Sequence, residues 1–173
     1  IGKIRTIQKE TGGFTEFVPL GFVHYESPLY TKNNHVRPGP TFDENIKMHA
    51  ISRVMLNGWI DNIQASWVKL GPEYATKMLR AGVNDLGGTL MNENITRSSG
   101  GIYGQEMTSL EMVEMISRSG LKPVRRNTLY KTLEQFPMSS NGRSDNFKVV
   151  ELSSQDQRIE IVQLPNHIQV AGV

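Results

Sequence analysis

Hydrophobic and polar positions fall into three successive blocks with the same order: a short apolar strand, a polar stretch and an amphipathic helix. In the first block EFVPL (16–20) predicts a strand, and the residues from Gly21 to Pro40 are mostly polar. A helix is predicted to start at Thr41, with Glu44 completing a capping box and Phe42, Ile46, Ala50 and Val54 as its apolar stripe. In the second block NIQASWVKL (62–70) predicts a strand, and Pro72 and Gly82 bracket the helix that follows. In the third, DLGGTL (85–90) predicts a strand and residues 91–107 a loop. The next helix starts at Thr108, with Glu111 in a second capping box, and ends at Gly120.

Strands alternating with helices predict an α/β fold with a parallel sheet and right-handed crossovers. Helix-to-strand connections such as AGVN (81–84) are short, whereas two of the three strand-to-helix connections are long and polar. Ligands in such folds bind at the carboxyl ends of the strands, so the functional face is expected to comprise 21–40, 69–72 and 91–107. Three units do not close a barrel. Either a partial sheet stands here or the rest of a barrel lies upstream; because Ile1 to Glu10 reads as mid-helix, the second is expected, the chain then being the carboxy-terminal part of a TIM-like (β/α) barrel. The barrel portion is assigned to 1–134 and a tail to 135–173. Within this stretch LKPVRRNTLY is expected to cross the barrel end, SSNGRSDN (139–146) to form a loop and RIEIVQL (158–164) an edge strand.

Side-chain alternation along 62–70 puts Ile63, Ala65 and Trp67 toward the helix layer and Asn62, Gln64 and Ser66 inward. Inward amides and hydroxyls near a barrel mouth either satisfy one another or bind a ligand, because leaving them unpaired is costly. Lys69, at the strand's carboxyl end, suits a carboxylate or phosphate as well as it suits a solvated rim. Asp85, Gly87 and Thr89 share a face, and the paired glycines mark either a close approach or a bend. GGT lacks the spacing of a dinucleotide fingerprint. His24 and Glu26 follow the first strand, and Glu26 with Glu93 is the cross-loop carboxylate pair nominated for acid–base work. NIT (94–96) matches a glycosylation acceptor without a secretory context.

Composition narrows the chemistry. The 173 residues carry a net charge of +2, and the only tight basic cluster, PVRR (123–126), reads as solvated surface, so no nucleic-acid partner is expected. No apolar run reaches the ~20 residues of a membrane span and no signal-peptide pattern opens the chain, which leads to the expectation of a cytoplasmic protein. The four histidines show no metal-ligand spacing, and His49 is assigned a structural role in its helix. Cysteine is absent, which excludes disulfides, thiolate metal ligands and a cysteine nucleophile within these residues.

The stretches FVPLGFVHYESPLY, MHAISRVMLNGWIDNIQASWVKLGPE and AGVNDLGGTLMNENITRSSGGIYGQEM, with GLKPVRRNTLY after them, resemble the carboxy-terminal half of the second subunit or domain of FO synthase, the CofH type. The resemblance runs from about Ile4 to Tyr130. It departs at Gly21, where the family more often has Pro. It implies a radical S-adenosylmethionine enzyme on a TIM-like barrel. A four-iron–four-sulfur cluster cleaves S-adenosylmethionine, and a hydroxybenzyl fragment of tyrosine is transferred to 5-amino-6-(D-ribitylamino)uracil in deazaflavin biosynthesis. The implied functional partner is the first FO synthase subunit or domain. The cluster motif belongs near the start of such a barrel, so this chain is expected to lack it and to be inactive alone.

By the same resemblance, the backbone of Val18, Pro19 and Leu20 is expected beside the adenine of S-adenosylmethionine. Gln64, Ser66, Asp85 and Thr89 are expected to line the interior. His24, Glu26, Lys69, Asn92, Glu93 and Arg97 are expected at the mouth, positioning substrates, so Glu93→Gln is expected to impair product formation. NIQASWV is shared with enzymes of the futalosine route to menaquinone, which remain an alternative. A barrel-half module that binds without catalysis is another.

Overall fold

A computed structural model describes residues 1–90 and 93–137 and the backbone of 160–161. The helices and strands run α1 (Gly2–Thr11), β1 (Glu16–Phe17), α2 (Pro28–Thr31), α3 (Phe42–Leu56), β2 (Asn62–Ile63), α4 (Trp67–Leu70), α5 (Pro72–Met78), α6 (Asn94–Ser98), α7 (Ser109–Arg118), β3 (Val124–Arg126), β4 (Thr132–Gln135) and β5 (Glu160–Ile161).

β1 and β2 pair in parallel with Glu16 opposite Asn62 and Phe17 opposite Ile63. A parallel bridge between Gln64 and Asp85 adds the third segment at the edge of β2. The three segments thus stand side by side in chain order, joined by α3 and then α5. The described residues form an α/β arc of parallel segments with helices packed on it. Its core joins Ile63, Ala65, Val83 and Leu86 from the sheet side to Met78, Met112 and Ile116 from the helices.

Local chemistry fixes the helix ends. Thr41 Oγ1 accepts from Glu44 N–H at 3.2 Å while Glu44 accepts from Thr41 N–H at 2.8 Å, and Thr108 and Glu111 repeat this exchange at α7. Arg53 ties α3 to the next crossover, donating to Gly82 O at 2.6 Å and to Asn84 Oδ1 at 2.7 Å.

The structure corrects the reading in several places. The first strand covers Glu16–Phe17 rather than 16–20, and 85–90 joins the sheet through the bridge at Asp85 rather than as a continuous strand. The second strand does not run to residue 70: Trp67–Leu70 turns into α4, because Trp67 Nε1 donates to Gly88 O at 3.1 Å and draws the chain over its neighbour. Val54 is not on the core face of α3 but 79% exposed. Each four-residue step advances about 40° around a helix, so a stripe built on three such steps rotates off the core, and His49, Ser52 and Leu56 take the buried face instead. PVRR is not solvated surface. β3 pairs antiparallel with β4 and β5, so its alternate residues Val124 and Arg126 turn inward, and Arg126 is 6% exposed.

Arg126 closes the amino-terminal side of the sheet. Its Nε donates to Asp85 Oδ2 at 2.6 Å, and its guanidinium lies 3.8 Å from the centre of the Tyr130 ring. Tyr130, held at a left-handed φ of 59°, donates from its hydroxyl to Glu16 at 2.6 Å. The 121–130 segment therefore reaches the first residue of β1 and the third sheet segment together, as expected of a segment that crosses the end of the sheet.

Candidate functional site

At the opposite, carboxyl end of the segments lies a cavity of about 340 Å³ lined by Gln64, Ser66 and Trp67 and by the chain from Leu86 to Leu90. Ile63 and Ala65 are fully buried against the helices, so the intervening Gln64 and Ser66 face the cavity, following the alternation of the strand. Gly87 has φ 74°, and a Cβ there would lie 2.6 Å from Gln64 Nε2. The glycine lets the backbone of the third segment press against the Gln64 amide, which decides between the two readings of the glycine pair in favour of close approach. Thr89 lines the same cavity.

Asp85 takes a different place from its neighbours on that face. It is 1% exposed, with Oδ1 accepting from Gly87 N–H at 2.7 Å and Oδ2 from Arg126. Burial pushes its carboxyl up, and the Arg126 hydrogen bond and charge oppose that rise. Both oxygens are committed beneath the cavity, so Asp85 shapes the turn at Gly87 rather than lining the open space.

The mouth loops are held by the residues expected to touch ligand. His24 Nδ1 accepts from Gly39 N–H at 3.0 Å, and its ring stacks on Tyr25 at 4.3 Å and meets the edge of Tyr30 at 4.8 Å. Glu26 N–H donates to Ser99 O at 3.0 Å and joins the two long loops. Glu93 is the N-cap of α6, accepting from the N–H groups of Ile95 and Thr96 at 2.9 Å. Hydrogen bonding from the Thr96 hydroxyl, then from these backbone groups, holds its carboxyl below the ordinary range. Lys69 donates to the buried Thr96 Oγ1 at 2.8 Å, so Lys69, Thr96 and Glu93 form one polar chain from α4 to α6.

Glu26 and Glu93 therefore act on different loop contacts. Arg97 sits exposed on α6, and Asn92 lies outside the described residues. Glu93→Ala is expected to lower stability by about 1 kcal/mol through loss of the cap, with Glu93→Gln milder because one accepting oxygen remains. Urea midpoints of the two variants check this order.

Val18, Pro19 and Leu20 follow β1 directly. Pro19 and Leu20 border a cavity of about 390 Å³ with Asn45 and Met48 of α3. Thr96, Gly39 and Arg126 were not among the expected residues. Thr96 acts through Lys69 on α4, 27 positions away, Gly39 through His24, 15 positions back in the same loop, and Arg126 through Asp85, 41 positions away, and no local pattern carries such partners. Among the described residues no three His, Asp or Glu side chains gather as a metal site, and no helix is long and apolar enough to cross a membrane.

The family model for the CofH/MqnC C-terminal region matches residues 11–139, a span that contains the sheet, the cavity and both mouth loops. The chain belongs to this family. It is 48% identical over 134 residues to a 5-amino-6-(D-ribitylamino)uracil–L-tyrosine 4-hydroxyphenyl transferase of Methanopyrus kandleri, covering 78% of this chain and 36% of that protein. A Methanocaldococcus jannaschii protein of the same name is 51% identical over 131 residues, covering 76% of this chain and 36% of the relative. The FO synthase of Mycobacterium leprae is 51% identical over 127 residues, covering 73% of this chain and 15% of the relative. The chain thus spans roughly a third of the transferases it matches and a smaller share of the FO synthase.

Proposed function

We propose that this chain is the substrate-positioning carboxy-terminal portion of an enzyme that transfers the 4-hydroxybenzyl group of tyrosine to 5-amino-6-(D-ribitylamino)uracil in FO biosynthesis. The observation that carries the proposal is identity of about one half to proteins named for that transfer, across the segments that build the cavity and its loops. The proposal extends to a barrel completed by further residues, to a functional partnership with the first FO synthase subunit or domain, and to a cytoplasmic setting. The FO synthase relatives, of which the chain covers only 15%, support a partner that is fused in some proteins.

The family implies S-adenosylmethionine and a four-iron–four-sulfur cluster. Such a cluster takes thiolate ligands, and none of these 173 residues is cysteine. The residues present do not fit the cluster. The S-adenosylmethionine role of Val18, Pro19 and Leu20 stays a proposal, supported by the apolar border that Pro19 and Leu20 give to their cavity.

What the chain's own residues contribute is orientation. Gln64, Ser66 and Thr89 offer an amide and two hydroxyls to one small cavity, chemistry suited to a polyol or a uracil edge. The polar chain of Lys69, Thr96 and Glu93 and the ring cluster of His24 keep the loops in place over it. Arg97 and Asn92 complete the proposed mouth set. Fixed geometry of this kind lowers a barrier by removing freedom before reaction, with no acid–base strength required.

Incubating the complete enzyme with S-adenosylmethionine, a reductant, tyrosine and the diaminouracil is expected to give the coupled product by mass spectrometry. Product from a futalosine-type substrate and none from this pair would overturn the proposal.

A further inference from the structure

The cavity takes its shape from a turn in the third sheet segment. Asp85 is anchored to the sheet by its backbone, its carbonyl accepting from Ala65 N–H at 2.8 Å. Two residues on, Gly87 turns with φ 74° and gives its N–H to the Asp85 side chain at 2.7 Å. This is an Asx-turn, in which a carboxylate oxygen stands in for a backbone carbonyl.

Two walls of the cavity follow from that turn. The Gly87 backbone presses on the Gln64 amide so closely that a Cβ would lie 2.6 Å from Nε2. One residue on, the Gly88 carbonyl accepts from Trp67 Nε1 at 3.1 Å. Gln64 and Trp67 both line the cavity, so whatever holds the turn holds both side chains.

What holds the turn is not local. The terminal torsion of an aspartate is broad, so nothing within Asp85 aims Oδ1 at the Gly87 N–H. The other oxygen fixes the carboxylate, because Oδ2 accepts from Arg126 Nε at 2.6 Å. The guanidinium is itself anchored: Nη1 donates to Asn127 O at 3.0 Å, and the group lies 3.8 Å from the centre of the Tyr130 ring. Burial pushes the Asp85 carboxyl up and Arg126 opposes this, favouring the ionised form in which both oxygens accept.

We infer that Arg126 is a positioning residue for the substrate: from outside the β-α units it aims the Asp85 carboxylate at the Gly87 turn and so sets the Gln64 and Trp67 walls of the cavity. The antiparallel strand β3 thereby belongs to the substrate site although none of its residues lines the cavity. For its effect on turnover this inference rests on the function proposed above; the coupling of Arg126 to the turn does not.

The test uses three double variants of the complete enzyme. Asp85→Asn with Arg126→Gln, the amide pair, keeps an acceptor for Gly87 N–H and, at the reach of the arginine Nε, a partner to aim it. Asp85→Asn with Arg126→Leu keeps the acceptor and removes the partner. Asp85→Leu with Arg126→Leu removes both and leaves no polar group orphaned. Each is read by urea midpoint, by kcat/KM and by deuterium uptake of the peptide spanning residues 84–90. The leucine pair is expected to unfold at a midpoint equal to or above that of the amide pair. Even so, kcat/KM of the leucine pair and of the Asp85→Asn, Arg126→Leu variant is expected about tenfold below that of the amide pair, the order of loss a displaced positioning group causes. Exchange at 84–90 is expected about tenfold faster in those two than in the amide pair, because the Gly87 N–H loses its fixed acceptor. Turnover that follows the midpoint, or equal exchange with glutamine and leucine at position 126, would overturn the inference, since an ion pair that only stabilises the fold does neither. Where Asp85→Asn with Arg126→Leu does not fold, the leucine pair carries the comparison with the amide pair, and failure of both to fold overturns the inference. A parent enzyme that makes no product from tyrosine and the diaminouracil refutes the proposed function, and the exchange at 84–90 still decides the Arg126 assignment.

Discussion

Arg126→Leu is expected to destabilise the protein by about 3–5 kcal/mol, the cost of stripping one partner from a buried ion pair. Asp85 is 1% exposed and Arg126 is 6% exposed, so no solvent replaces the lost guanidinium. Burial already pushes the Asp85 carboxyl up, and Arg126 is the largest influence opposing it. Without Arg126 the carboxyl rises further and is either charged and uncompensated or protonated. The loss also removes the guanidinium beneath the Tyr130 ring, whose left-handed backbone then has less to hold it. Replacing both members with apolar residues, Asp85→Leu with Arg126→Leu, should recover much of the loss, since the penalty lies in the orphaned charge. Urea unfolding of the single and double variants measures both effects. A single variant within about 1 kcal/mol of the parent would show that the pair is not a keystone of this end of the fold.

Gly87→Ala is expected to have the larger effect on turnover. A side chain at φ 74° costs about 1–2 kcal/mol in backbone strain. The added Cβ, 2.6 Å from Gln64 Nε2, also drives the amide out of its place. Because the amide is the end of a flexible side chain, it moves rather than blocking the fold. Stability therefore falls modestly while the cavity changes shape, and kcat/KM is expected to drop roughly 10- to 100-fold, as displacements of about 1 Å do. Gly58→Ala is the control: its φ of 73° carries the same strain, yet nothing lies within 4 Å of the added Cβ. Gly58→Ala should match Gly87→Ala in unfolding midpoint and keep the parent's turnover.

Features settled within a few residues are legible in the sequence. Both capping boxes, at Thr41 with Glu44 and at Thr108 with Glu111, depend on a spacing of three, and the structure contains both. The inward face of Gln64 and Ser66 follows from alternation, because Ile63 and Ala65 are too apolar to take it. Length of the strand is not legible: SWVKL is equally apolar as a strand or as a buried turn of helix, and the bond from Trp67 to Gly88 decides. Glu93 reads as a substrate ligand because glutamate is an uncommon N-cap, and its cap depends on the loop that it organises. Arg126 reads as surface because its partner is 41 residues away, on another element.

The most direct test of the central claim replaces the aligned 131 residues of the Methanocaldococcus jannaschii relative with the matching part of this chain. If the chain supplies the substrate-positioning mouth of the transferase, the chimera will couple tyrosine to 5-amino-6-(D-ribitylamino)uracil, detected as the product mass. A folded chimera that carries its cluster and cleaves S-adenosylmethionine but forms no coupled product would contradict the account.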